Sequence, residues 1–193
     1  MHDIVLYQPK PSWNKGKLVG QKLSLKLEEI WSICTRLDIS HNLCELTMFN
    51  LALDSKLRAC DFIKLKVRDI AHGTMVQSRA ILIQQKTGRP VQFEITPKTK
   101  DAITAWIKFN ALKNDDYLFK SRVKTNDHLP TRQYARIVKR WVISIGLDPT
   151  AYGTHSMRRT KASIIYRETK NLRAIQILLG HSKIDSTNKV SRR

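Results

Sequence analysis

The chain has 193 residues, enough for one domain with a buried core plus a short appendage. Hydrophobic residues make up 41% of it, with no apolar run near the roughly 18 residues of a bilayer-spanning helix, so no membrane role is expected. Charge is the strongest bulk signal: 35 Lys and Arg against 16 Asp and Glu give a formal net of +19, which makes a polyanion the natural partner. Cys34, Cys44 and Cys60 are odd in number and form no CxxC pair, which argues against a disulfide framework and a structural zinc. Residues 1–10 carry no long apolar stretch behind a basic region, so a secretory signal is not expected and the cytoplasm is the default compartment.

Residues 1–22 mix Pro9, Pro11, Gly16 and Gly20 with lysines and read as an extended arm or linker. From Leu23 the pattern turns helical, with Leu27, Ile30, Trp31, Cys34 and Leu37 at three- and four-residue spacings. A second apolar helix is expected over 42–53, broken by Asp54 and Ser55, and a short helix over 58–65 leads to strand-like runs at 66–70, 75–84 and 91–96. The segment from Gln85 to Pro90, with Gly88 in it, suits a hairpin turn. Helices follow from Pro97 to Lys113 and over 131–145, the second ended by Gly146 and Pro149; two more are expected over 156–168 and 172–179. The expected fold is α+β, mostly helical, with one small three-stranded antiparallel sheet, in a single domain over 23–193.

Basic residues crowd the last part of the chain, where ten Lys and Arg stand between His155 and Arg193 against only Glu168 and Asp185. Four local features bear on what they do. His155 and Arg158 lie three apart at a helix start and project from one face, with Arg159 beside them. Leu178-Leu179-Gly180-His181 places a histidine just beyond a helix end. Arg58 opens a helix after a turn, and Lys86 sits at a hairpin tip, with Lys98 and Lys100 nearby in sequence. Singly, each has an ordinary reading: a solvated arginine, a turn lysine, a capping histidine, or, for Arg159, a partner to an acid inside the fold.

In order, spacing and local structure, the set resembles the catalytic domain of the tyrosine recombinases, the family of the phage integrases, from about Leu23 to Val190. That resemblance implies that Arg58 and Arg158 clamp a scissile DNA phosphate, since an arginine fork bridges two non-bridging oxygens and stays protonated. It implies that Lys86 is the general acid for the departing 5′ oxygen, that His155 assists proton transfer at the nucleophile, and that His181 donates a hydrogen bond to phosphate. Arg159 and Lys183 are expected to bind DNA, and Asp61 to orient Arg58 through a salt bridge. No metal or other cofactor is expected, because the cationic side chains take its place. Double-stranded DNA is the implied partner, and a homo-oligomer assembled on it is compatible with the family.

The resemblance breaks at one position. The family's nucleophilic tyrosine stands nine residues beyond the histidine of Leu-Gly-His; here that residue is Val190, and no tyrosine follows His181. Valine has no hydroxyl, so strand cleavage is expected to fail. Tyr152 and Tyr166 are expected to be packing residues. The chain also ends where the family continues into a terminal helix, and only the arm stands where the family has a second DNA-clasping domain. Truncation, a frameshifted remnant of a mobile element and a retained non-catalytic DNA binder are the three explanations, of which the abrupt loss of the last element favours the remnant. An RNA-binding structural protein would account for the charge but for none of the spacings.

Overall fold

The computed structural model describes residues 22–73, 75–121, 127–171 and 173, and the packing within them is organised on α2, Leu43–Ser55. Every residue from Thr47 to Ala52 is buried, so this helix has no solvent face and lies inside the core rather than against it. Its start is capped by Asn42, whose Oδ1 accepts the Glu45 N–H at 3.1 Å. Around it pack α1 (Leu27–Ile39), α4 (Pro97–Phe109) and α6 (Thr154–Thr169). The amphipathic α5 (Thr131–Ser144) closes the other side against α1 and α6, burying Tyr134, Ile137, Val138, Trp141 and Val142. Phe49 of α2 meets Trp141 edge-on, with ring centroids 5.2 Å apart.

The short helix expected over 58–65 is a single turn, α3 (Ala59–Phe62). It stops there because Leu65, fully buried, must drop into the core, where its carbonyl accepts the Leu118 N–H at 2.8 Å. Such a turn has little stability of its own. Phe62 holds it, stacked between Phe119 at 5.4 Å and Tyr134 at 5.1 Å.

The α+β class holds, while the β-structure differs in detail from the expected single sheet. Residues 66–70 are not a strand, because the Asp69 carboxylate accepts the Lys66 N–H at 2.8 Å and closes a 3₁₀ turn over Val67–Asp69. Strand β1 (Ala71–His72) follows and pairs antiparallel with β2 (Met75–Val76). The second expected run breaks at Gln77 and Ser78, where the backbone changes partner: Gln77 N–H donates to Ile70, and the Ser78 carbonyl accepts from Ile95. Beyond the break, β3 (Arg79–Ile83) pairs antiparallel with β4 (Pro90–Glu94), Arg79 opposite Glu94 and Ile83 opposite Pro90. Two two-stranded ladders therefore stand where one three-stranded sheet was expected.

The three cysteines form no disulfide: Cys34 is buried with Sγ 3.3 Å from Asn50 Oδ1, while Cys44 and Cys60 are half-buried. Among the described residues no helix is long and apolar enough to cross a membrane.

Candidate nucleic-acid interface

The site begins where α2 ends. Lys56 takes a left-handed conformation, φ 54°, which turns the chain sharply after Ser55, and buried Leu57 then anchors it. Arg58 follows as the residue capping α3 and is half-buried. The turn aims the Lys56 carbonyl at α6, where it accepts Arg158 Nη1 at 3.0 Å. Arg158 itself is 7% exposed, a charged group held inside the protein wall. Helix α6 starts at Gly153, whose N–H donates to Ser156 Oγ at 3.0 Å, so the positive end of the helix dipole lies beside His155.

The third wall is the β3–β4 hairpin. Gln84, at the end of β3, is 2% exposed, and its Oε1 accepts both Arg58 Nη1 and, at 3.0 Å, the Thr87 hydroxyl. Next to it, the Gln85 N–H donates to Asp61 Oδ1 at 3.0 Å, and Lys64 Nζ lies 3.3 Å from Gln85 Oε1. The hairpin tip is thereby attached to α3 through three side chains.

Electrostatics locate the cations relative to one another. Arg158 is pushed down to about 10 by burial, then by the Arg58 and Arg159 guanidiniums, with Asp61 opposing. His155 is exposed at the surface yet lies below the ordinary histidine range, through desolvation by the surrounding protein and the charges of Arg159, Arg158 and Arg58. Arg58, His155, Arg158 and Arg159 are thus within electrostatic reach of one another, although Arg58 and Arg158 are a hundred residues apart. Lys56, 6% exposed, is pushed down to about 8, mainly by burial and by Lys161, with Asp54 and Glu94 pulling the other way and Arg158 adding to the depression. Positive charge concentrated on one wall can receive an oxyanion.

Other expected residues distribute as follows. Lys86 lies exposed at the hairpin tip. Lys98 and Lys100 do not share that place, since Lys98 Nζ sits 5.4 Å over the Trp31 ring and Lys100 Nζ is 3.4 Å from Ser78 Oγ. Arg159 is half-buried and donates to the Lys22 carbonyl at 2.9 Å, tying the start of the described chain to α6. His181, Lys183 and Val190 lie outside the described residues. Tyr152 is buried and Tyr166 half-buried, the latter under Lys170 Nζ at 5.8 Å. The expected Asp61–Arg58 salt bridge is not formed. Asp61 accepts the Gln85 N–H of the hairpin backbone, and Arg58 bonds the Gln84 side chain instead.

Gln84 and Lys56 escaped the sequence reading. Gln84 left one trace: with Ala80 and Leu82 it falls on the inward face of β3 by the two-residue period of a strand. Lys56 left none, as lysine is an unusual choice for a buried left-handed position. Among the described residues no group of three or more His, Cys, Asp or Glu could hold a metal ion.

The sequence model of the phage integrase family matches residues 24–190. The chain belongs to the phage integrase family. Over 144 residues it is 28% identical to the probable integrase/recombinase YoeC of Bacillus subtilis, a match covering 75% of each chain. It is also 28% identical over 186 residues to the tyrosine recombinase XerD of Rickettsia bellii, covering 86% of this chain and 60% of that one. With the XerC of Psychromonas ingrahamii it shares 24% over 143 residues, covering 72% and 46%, so the chain spans about half the length of such Xer relatives. The family fold appears in solved structures too. The XerA recombinase superposes with a TM-score of 0.74 at 17% identity, covering 90% of this chain and 61% of that one. XerH bound to difH substrate in a pre-cleavage complex gives 0.69 at 18%, covering 90% and 52%.

Proposed function

We propose that this chain is a site-specific DNA recombination or integration domain, occupying 23–193 behind an arm at 1–22, which binds duplex DNA through a phosphate clamp and is deficient in cleavage. The observation that carries this reading is the Arg158 Nη1 bond to the Lys56 carbonyl at 3.0 Å, which brings the helix of His155 and Arg158 against the turn that leads into Arg58, from two distant segments of the chain. In it Arg58 and Arg158 grip the non-bridging oxygens, where fixed donors in a partly dry wall act most strongly on developing charge. Lys86 donates the proton to the departing 5′ oxygen, His155 serves proton transfer at the attacking group, and His181 adds a hydrogen bond to the phosphate. Arg159 and Lys183 extend the contact along the backbone. The cationic groups meet the electrostatic need without a metal or other cofactor. Val190 supplies no nucleophile, so the bound phosphate is held and not opened. The low position of His155 fits the proton-transfer role, because an imidazole that is neutral near pH 7 can accept a proton. Assembly as a homo-oligomer on DNA and residence in the cytoplasm follow from the same reading.

The test measures affinity for a mixed-sequence duplex across a salt series. Arg158→Ala is expected to weaken binding and to lower the slope of log affinity against log salt by about 0.9, the loss of one phosphate contact. An unchanged slope would place Arg158 away from the DNA. A nicked duplex is expected to yield no covalent protein–DNA adduct and no cut strand.

A second reading, a non-catalytic DNA-binding remnant or regulator derived from an integrase, is favoured by Val190 at the position where the family's pattern has its nucleophile. Val190→Tyr separates the two on its positive outcome: regained adduct formation favours an enzyme lacking only its nucleophile.

A further inference from the structure

The buried amide of Gln84 stands between the two cationic elements of the site and has no role in the reading above. Its Oε1 receives Arg58 Nη1 from α3 and the Thr87 hydroxyl from the hairpin turn. Its backbone is fixed as well: N–H donates to the Arg89 carbonyl at 3.0 Å, and its own carbonyl accepts the Gly88 N–H at 2.8 Å. The residue is part of the turn carrying Lys86 and, at the same time, the partner of the Arg58 guanidinium. Its Nε2 has no hydrogen-bond partner among the described residues, so one buried donor has been left unmatched while the oxygen is doubly used.

We propose that Gln84 is a positioning residue that couples the Lys86 hairpin to Arg58, so that both cations meet one phosphate as a unit. The inference rests on the phosphate-binding reading of the Arg58 cluster. The choice of an amide has a physical reason. A carboxylate at this position would hold Arg58 more strongly but would cancel its charge, leaving less attraction for DNA. An apolar side chain would leave the guanidinium without an acceptor and free to rotate. The amide oxygen orients the fork and leaves the full positive charge for an oxyanion. Among the described residues Arg58 makes no ion pair with an acid, as this arrangement requires. The nearest acid along α3, Asp61, bonds the Gln85 N–H through Oδ1, and its Oδ2 is buried without a hydrogen-bond partner among the described residues.

Two variants of the full chain separate coupling from folding. Gln84→Glu keeps the shape and adds a charge, and Gln84→Met keeps the length and removes the acceptor. Each is made in the wild-type and in the Arg58→Ala background, and affinity for a fluorescein-labelled mixed-sequence duplex is read over a salt series, with melting temperature recorded in parallel. In the wild-type background Gln84→Glu is expected to weaken binding about tenfold and to lower the salt slope by about 0.9 while melting at or above the wild-type temperature. Gln84→Met is expected to weaken binding severalfold. In the Arg58→Ala background Gln84→Met is expected not to weaken binding further, because a residue acting through Arg58 has nothing left to position. Equal losses from Gln84→Met in both backgrounds, or a Gln84→Glu protein with wild-type affinity and slope in the wild-type background, would overturn the proposal. If Arg58→Ala itself leaves affinity and slope unchanged, the clamp reading fails first and the proposal falls with it.

Discussion

Two knots join the end of α2 to the hairpin side of the protein and to α6, and they treat charge in opposite ways. At Asp54 the carboxylate is saturated from all sides: Oδ1 accepts Lys161 Nζ at 2.7 Å, and Oδ2 accepts the Thr96 N–H, the Thr96 hydroxyl and the Thr99 hydroxyl between 2.7 and 2.9 Å. Two residues on, the Lys56 carbonyl accepts Arg158, and beyond it Arg58 bonds the Gln84 amide oxygen. The first knot uses its charge internally and serves the fold. The second orients Arg58 with a neutral acceptor, which leaves that charge available to an anion from outside, as the proposed function requires.

The sharpest way to break this contrast is Asp54→Asn. Removing the charge of a part-buried pair, together with an acceptor of three further hydrogen bonds, is expected to cost about 1–3 kcal/mol in urea unfolding, with the salt slope of DNA binding unchanged in the folded fraction. A slope that fell with it would merge the two knots into one. Burial opposes ionisation of Asp54, yet hydrogen bonds from Lys161, Thr99 and Thr96 outweigh it and hold the carboxyl below its ordinary 3.8. Its contribution is therefore complete above that value and is lost as pH falls through the lower folded one.

Next in size is Lys56→Gly, which is expected to stabilise the protein at pH 7 by about 1–3 kcal/mol. It removes a buried ammonium and the strain of a left-handed non-glycine residue, and it keeps the carbonyl that Arg158 needs. Because the folded value of about 8 lies below the unfolded 10.5, the wild type binds fewer protons folded than unfolded between them, and its stability rises with pH over that window. The variant should lack this alkaline gain, and a variant that retained it would assign the gain to other groups.

The smallest effect is at His155. An NMR titration of its ring should give a midpoint below 6.5 in the free protein, moving upward when duplex DNA neutralises the neighbouring guanidiniums. A free-protein midpoint at or above 6.5 would remove His155 from the cationic wall. Its lowered folded value makes stability fall modestly as pH drops through 6.5 toward that value, with no loss above it.

What the sequence made legible was what depends on local period. Leu27, Ile30, Trp31, Cys34 and Leu37 announce α1, and the helix expected over 131–145 is α5, with ends that agree with the structure to within a few residues. The pairing of His155 with Arg158 likewise needs only the pitch of a helix. Where partners lie far apart along the chain, the pattern was silent or misleading. Asp61 looked like the natural anchor for Arg58 because it is three residues away, whereas the real partner, Gln84, is brought in by strand pairing with a different stretch. The break at Gln77 and Ser78 was equally hidden, since an extended residue reads the same whichever neighbour it bonds. The buried left-handed Lys56 runs against residue preference altogether, as functional walls often do.

The Phe62 stack carries a consequence for genetics. Arg58 opens a one-turn helix whose Phe62 is wedged between Phe119 and Tyr134. Selections for failed DNA binding should accordingly recover Phe119→Leu and Tyr134→Ala alongside the arginines, and such interior lesions would masquerade as surface contacts until purified protein was weighed against its melting curve.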